Sequence, residues 1–286
     1  MAEFFTGLPL ILDGATGTQL QKYGMPAGVS TEKWVLENPD TIKKIQRAYV
    51  EAGSGAVFAP TFAANRVGLK KCGLENQVED TVARLVDLTR QAVGGRALIA
   101  GDMSPTGLML EPFGEATYEY LVEVFAEQAR ALCDAGVDFI GIETMMYLDE
   151  AKAAVEGIRS VTDKPITVSF TCGGTGRTIW GEMMTDVVSA LEPMGISAFG
   201  INCCGDMDLV KTLLEELRGA TDLPLIAKPN AGQPQIKDGK TAYLLSPEEL
   251  GERVPGFVQA GASILGGCCG TDERHIAAIK ETLAKL

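Results

Sequence analysis

Histidine is almost missing from this chain: His275 is the single one in 286 residues. Positive charge is short too, with 25 Lys and Arg against 38 Asp and Glu and a formal net charge of −13. An acidic surface repels both a nucleic-acid backbone and an anionic membrane, so neither is an expected partner. A neutral or zwitterionic small molecule is not excluded. No apolar run is long enough to span a bilayer. The start carries Glu3 and no early Lys or Arg, so it does not read as a secretory signal. Linkers, low-complexity stretches and composition shifts are also missing, and the expectation is one domain over residues 1–286.

What is present is apolar and thiol-bearing. Hydrophobic residues make up 46% of the chain, enough for an extensive core without cross-links. There are seven cysteines. Four form two adjacent pairs, Cys203-Cys204 and Cys268-Cys269. A secreted disulfide framework spaces its cysteines differently, so a reducing, cytoplasmic setting and a metal or redox role are expected.

One pattern repeats along the chain. A short apolar, β-branched run leads into a polar turn and then an amphipathic segment. Strands are predicted at 8–13, 56–61, 97–102, 138–143, 166–171, 198–203, 224–228 and 263–267. Helices are predicted at 38–52, 76–93, 117–135, 148–161, 185–194, 206–219, 247–259 and 272–286. Asn38-Pro39-Asp40, Asp206, Ser246-Pro247 and Thr271-Asp272 are helix openings. Gly53, Gly136, Gly195 and Gly261 follow helical runs as stops. Alternation of this kind predicts a (β/α)₈ TIM barrel in the α/β class. An open doubly wound sheet usually shows G-x-G-x-x-G after its first strand, and Asp13-Gly14-Ala15-Thr16-Gly17-Thr18 is not that fingerprint.

A barrel of this kind works at the C-terminal ends of its strands. Cys203 ends the sixth predicted strand, and Cys268 and Cys269 end the eighth. Neighbours on a regular strand point opposite ways, so both members of Cys268-Cys269 face one metal only if the chain turns there. Gly266, Gly267 and Gly270 permit the turn. Three thiolates then offer three corners of a tetrahedron with one left open, a ligand set suited to catalytic zinc. Plainer readings cover the other cysteines. Cys72 and Cys133 lie in or beside helices and read as small buried hydrophobes, and Cys172 leans the same way. If Cys203 points into the barrel mouth, Cys204 points away.

Three thiolates leave zinc with a net charge of −1. That weakens it for acidifying a bound water but keeps a substrate sulfur electron-rich. His275, inside the last predicted helix, reads as a surface or first-turn residue rather than a base. The chemistry therefore points to alkylation of a thiol, with no catalytic side chain beyond the zinc-bound sulfur. A zinc hydrolase or lyase on the same barrel is the alternative.

The stretches Gly200-Ile201-Asn202-Cys203 and Gly266-Gly267-Cys268-Cys269-Gly270-Thr271 resemble the zinc signature of the homocysteine S-methyltransferase family. Residues 12–18, Ser104-Pro105-Thr106-Gly107, Ile142-Glu143-Thr144 and Pro229-Asn230-Ala231-Gly232 extend the likeness almost end to end. Asp238-Gly239-Lys240-Thr241 and the tail from Gly270 to Ile276 look most like the homocysteine-binding barrel of cobalamin-dependent methionine synthase. At Ala59-Pro60-Thr61-Phe62 the chain departs from that branch, with proline in place of its usual asparagine.

The resemblance implies that zinc activates homocysteine, or a similar small thiol, as a methyl acceptor. It implies that Asp13, Gly14 and Glu143 hold the amino-acid end of the substrate. Asn230, between the two cysteine strands, is a candidate for the open zinc position. Since the chain ends after its eighth helix, the methyl donor is expected to be separate: a corrinoid protein or a small sulfonium or ammonium compound. The long connection 172–184, with Arg177 and Trp180, is a candidate lid, a docking surface for the donor, or a plain surface connection.

Overall fold

The computed structural model describes Phe5, residues 9–237 and residues 239–286. Most of the opening segment read for a signal, Leu8 of the first predicted strand and Asp238 of the Asp238-Gly239-Lys240-Thr241 stretch lie outside the described residues.

Among the described residues the barrel strands are β1 (Leu10–Ile11), β2 (Ala56–Phe58), β3 (Leu98–Met103) and β4 (Phe139–Met145). They continue as β5 (Ile166–Phe170), β6 (Ala198–Asn202), β7 (Leu225–Lys228) and β8 (Ala262–Leu265). All ladder neighbours are parallel, from β1 through β8 back along the series to β2. The seam between β1 and β2 is held by the Gly55 N–H, which donates to the Ile11 carbonyl at 2.7 Å. Side chains reinforce it: the Phe58 N–H donates to Asp13 Oδ2 at 2.9 Å. The result is the expected (β/α)₈ barrel, nearly closed.

The eight outer helices are α1 (Pro39–Ala52), α2 (Val78–Val93), α3 (Tyr118–Asp134) and α4 (Leu148–Arg159). After them come α5 (Met184–Leu191), α6 (Met207–Arg218), α7 (Pro247–Gln259) and α8 (Glu273–Leu283). The capping chemistry acts largely as the sequence implies. Asp206 accepts from the Asp208 and Leu209 N–H groups, and Ser246 with Glu249 forms a capping box. Asn38 differs: its side chain donates to the Trp34 carbonyl instead of capping α1.

Strand ends differ where local chemistry intervenes. The second predicted strand runs to 61, yet β2 stops at Phe58. Pro60 has no N–H to continue a ladder, and the Thr61 hydroxyl takes over by hydrogen bonding to the Asp102 carbonyl at 2.9 Å. β6 stops at Asn202 because Cys203 swings to φ 55, in the left-handed region. The first long connection hides two short helices, Gly17–Lys22 and Thr31–Glu37. A small hairpin, Gln235–Lys237 with Lys240–Ala242, was not expected from the sequence. Its first arm is fully exposed, so no apolar alternation marks it.

Two apolar layers result. One lies between sheet and helices. The other takes Phe5 and residues from the strands and their flanks, with none from the eight outer helices, which places it in the lumen. There Phe139 meets Phe5 and Phe58 edge-on, at ring separations of 5.8 and 6.1 Å. The lumen is packed, and the mouth above it rests on a solid floor.

Candidate metal centre

Cys203, Cys268 and Cys269 come together at the C-terminal mouth of the barrel, their sulfurs all within 4.8 Å of one another. Cys203 Sγ lies 3.9 Å from Cys269 Sγ. Sulfurs placed ~2.3 Å from a tetrahedral zinc stand ~3.8 Å apart, so the donor set and its spacing fit zinc.

The local backbone explains why two adjacent cysteines converge. The chain leaves β8 at Gly266, and the Cys268 N–H donates to the Pro229 carbonyl at 2.7 Å. The Cys268 carbonyl then receives the Thr271 N–H at 3.1 Å and the Thr271 hydroxyl at 2.7 Å, which closes a turn. Gly267 is needed here, because a methyl on it would run into the Thr271 side chain. On β6, the Cys203 N–H donates to the Lys228 carbonyl at 3.2 Å.

Asn202 ties the two cysteine loops to β4. Its Oδ1 accepts the Thr144 N–H at 2.9 Å, and its Nδ2 donates to Thr144 Oγ1 at 2.7 Å and toward Cys268 Sγ at 3.9 Å. Thr144 sits at φ 64, and its exchange with Asn202 holds that left-handed conformation. The thiols share charge. Hydrogen bonds from Cys203 and then Cys268 pull Cys269 down to about 3, while bonds to Cys268 and Cys269 push Cys203 upward. Tyr243, which crosses the bare face of Gly270, hydrogen bonds to Cys269. It directly follows the unanticipated hairpin, which is why the sequence did not mark it.

Below the sulfurs lies a charged layer. Lys228, at the end of β7 and 4% exposed, donates to both oxygens of Glu143 at 2.8 and 2.9 Å. It also stands 3.5 Å from Asp13 Oδ1 and 4.0 Å from the centre of the Phe58 ring. Burial disfavours the Lys228 ammonium, but Glu143 and Asp13 outweigh burial and hold it protonated. Burial pushes Asp13 up to about 6 against the pull of Lys228 and the Phe58 N–H. Burial and the neighbouring Glu143 push Asp102 well above the carboxylate range. Glu143 is raised by burial while Lys228 draws it back. The sequence held one clue to Lys228, a lone cation closing the apolar run Leu225-Ile226-Ala227 at the barrel mouth.

The other candidates have clear places. Gly14 lines the mouth, and a Cβ there would meet the Tyr49 ring at 2.7 Å, so it has a packing role as well. Asn230 is buried with Oδ1 free of any hydrogen bond. Its N–H donates to the Cys204 carbonyl at 2.9 Å, and the next N–H, of Ala231, donates to the Cys269 carbonyl at 2.9 Å. Asn230 thus joins the two cysteine loops. Cys204 is buried, turned to the Asp206 carbonyl at 3.8 Å and hydrogen bonded to Cys172, outside the triad. His275 is in the first turn of α8 but buried, not at the surface. Its Nδ1 lies 3.1 Å from the Asp272 N–H and its Nε2 3.1 Å from the Leu245 carbonyl, a capping role. In the 172–184 connection Trp180 stacks on Phe113 at 5.0 Å.

A cavity of about 740 Å³ opens over the triad, lined by the three cysteines with Asp13, Asp102, Glu143 and Lys228. A larger one, about 920 Å³, lies on the outer wall beside α2 and α3 and holds none of these residues.

Three sulfurs and a cavity with a charged floor at the mouth of a (β/α)₈ barrel define a class, the barrels built so that one metal can rest on thiolates beside a small substrate. Within that class the chain belongs to the homocysteine S-methyltransferase family, whose model matches residues 10–283. It is 31% identical to the homocysteine S-methyltransferase of Escherichia coli (strain K12), over 95% of this chain and 94% of that protein. It is 30% identical to the methionine synthase of Mycobacterium tuberculosis (strain ATCC 25618 / H37Rv) over 97% of this chain, but spans only 25% of that protein's length. Among solved structures, the metallated form of the E. coli homocysteine methyltransferase MmuM superposes with a TM-score of 0.81 at 28% identity, covering 95% of both chains. The oxidized form gives 0.80 at 28% identity, again over 95% of each.

Proposed function

We propose that the protein transfers a methyl group to the sulfur of homocysteine, giving methionine, with zinc on Cys203, Cys268 and Cys269. The observation that carries this reading is the 3.9 Å sulfur spacing beside a cavity with room for a small amino acid and its methyl donor. When bound, zinc supplies the Lewis acidity that keeps an acceptor sulfur deprotonated at neutral pH. In the transfer a sulfur–carbon bond forms as the donor's bond to methyl breaks in line, and the donor's leaving group departs with the electron pair. The thiol proton goes to solvent, and no protein base is needed. Asp13, Gly14 and Glu143 are assigned to the amino-acid end of the substrate. Asn230, with its free buried oxygen, is assigned to the fourth metal position while substrate is absent.

The methyl group comes from a separate donor, either a methyl-corrinoid protein or a methylated sulfonium or ammonium compound. The whole of 1–286 acts as one domain. Free thiols at the centre suit a reducing compartment, and we assign the protein to the cytoplasm. Among the described residues no helix is long and apolar enough to cross a membrane.

The test is to purify the protein, measure zinc, and incubate it with homocysteine and methylcobalamin, S-methylmethionine or betaine in turn. Methionine formed from one of them names the donor class. Methylation of a different small thiol in preference to homocysteine moves the acceptor. Zinc-dependent cleavage of an ester or amide with no thiol present replaces the reading with a hydrolase.

A further inference from the structure

Three carboxyl groups and one ammonium share the floor of the cavity, and their hydrogen bonds are unevenly filled. Both oxygens of Glu143 receive Lys228. Asp13 receives the Phe58 N–H on Oδ2, and its Oδ1 has only the longer, 3.5 Å approach of Lys228. Asp102 stands apart. The residue is 8% exposed and lines the cavity, and its buried Oδ1 has no hydrogen-bond partner in the protein.

The backbone of Asp102 is clamped. Its N–H donates to Thr61 Oγ1 at 3.0 Å, and its carbonyl accepts from Thr61 Oγ1 at 2.9 Å and Gln128 Nε2 at 3.4 Å. The carboxyl group is thus presented to the cavity by a rigid support. A buried carboxyl oxygen with no donor is costly, and nothing in the fold requires an acid there. Lys228 does not relieve it, being fixed on Glu143 and over the Phe58 ring. One ammonium serves three carboxyl groups, and Glu143 takes both of its short hydrogen bonds. Asp102 and Asp13 hold the free acceptor atoms for a cation.

We propose that Asp102 joins Asp13 in receiving the α-ammonium of the acceptor, and that Lys228, bound to both oxygens of Glu143, is a positioning residue that fixes Glu143 at the edge of this subsite. Asp102 thereby sets specificity for an amino-acid thiol over a simple mercapto acid. The assignment rests on the homocysteine reading above and deepens it.

The experiment compares L-homocysteine with 4-mercaptobutanoate, which has the same thiol and carboxylate but no ammonium. Each is titrated calorimetrically into the zinc-loaded protein and its Asp102→Asn variant, with zinc content and melting temperature measured alongside. The wild type is expected to prefer homocysteine by roughly ten- to hundredfold, the worth of a charge-assisted hydrogen bond. Asp102→Asn is expected to erase that preference while 4-mercaptobutanoate binds as before. Zinc and melting temperature stay unchanged, because Asp102 Oδ1 makes no hydrogen bond in the fold. Retained preference, equal weakening of both thiols, or lost zinc overturns the assignment. Binding of both thiols alike by the wild type overturns it too, leaving the thiol-acceptor reading intact. If the wild type binds neither thiol, that reading fails and the Asp102 assignment falls with it.

Discussion

Lys228 grips Glu143 through both carboxylate oxygens, at 2.8 and 2.9 Å, with each side chain at most 10% exposed. The pair spans the barrel floor from β7 to β4. Its two partners are 85 residues apart in sequence, and neither is solvated enough to stand alone. Removing one partner from such a pair leaves an uncompensated buried charge.

Lys228→Met is therefore expected to destabilise the fold by about 3–5 kcal/mol, the usual cost of breaking a buried pair. Glu143→Gln costs less, since Asp13 remains to face the ammonium. The double variant is expected to recover much of the Lys228→Met loss. Urea denaturation of the four proteins closes the cycle, and additive losses would show that the two side chains do not interact.

Asp13 gives the floor a pH signature. Its pKa lies at about 6 against an ordinary 3.8, mainly because burial disfavours the charge. Between those values the folded state holds a proton that the unfolded chain has released. The contribution is present below about 3.8 and is lost as pH rises through about 6. The displacement corresponds to roughly 3 kcal/mol. Asp13→Asn keeps an acceptor for the Phe58 N–H and cannot titrate. The unfolding free energy of the wild type minus that of Asp13→Asn should fall from pH 4 to pH 7. A flat difference would show that Asp13 titrates normally.

The barrel was legible because its signals are local. Apolar runs such as Phe199-Gly200-Ile201 and stops such as Gly53 and Gly195, both left-handed in the structure, need only near neighbours to act. The triad was legible because adjacent cysteines among glycines are rare and strand ends share one mouth. Lys228, Asp102, Asn202 and Tyr243 were not singled out, since each gains its meaning from a partner far along the chain. Asn202 reaches Thr144 across 58 residues, and nothing near either residue announces the pairing. The hairpin just before Tyr243 was missed because its first arm is exposed, and exposure imposes no apolar pattern.

Asn202 links backbone conformation to the metal centre. It satisfies the Thr144 N–H and hydroxyl and approaches Cys268, and it immediately precedes the left-handed Cys203. Asn202→Ala leaves those half-buried groups of Thr144 without partners, at a cost of about 1 kcal/mol. Zinc affinity is expected to fall about ten- to hundredfold, as when a group orienting a ligand is lost. Competition with a chromogenic chelator measures the affinity, and thermal unfolding measures the stability. A loss of stability with zinc affinity intact would confine Asn202 to a structural role.

Cys203 and Cys204 are adjacent, yet only the first belongs to the triad. Cys203 leaves β6 in a left-handed conformation that turns its sulfur to Cys269, while Cys204 is buried and turned to the Asp206 carbonyl. Cys203→Ser, Cys268→Ser and Cys269→Ser should each lose stoichiometric zinc and methyl transfer, because a serine hydroxyl does not replace thiolate on zinc at neutral pH. Cys204→Ser should keep both and lose at most a little stability, from placing a hydroxyl in a half-apolar pocket. Elemental analysis of the four purified variants decides the matter. Zinc retained by Cys203→Ser and lost by Cys204→Ser would mean that the strand end is turned the other way. The conformation at Cys203 would then be wrong, and with it the 3.9 Å spacing that brings the sulfurs into range of one ion.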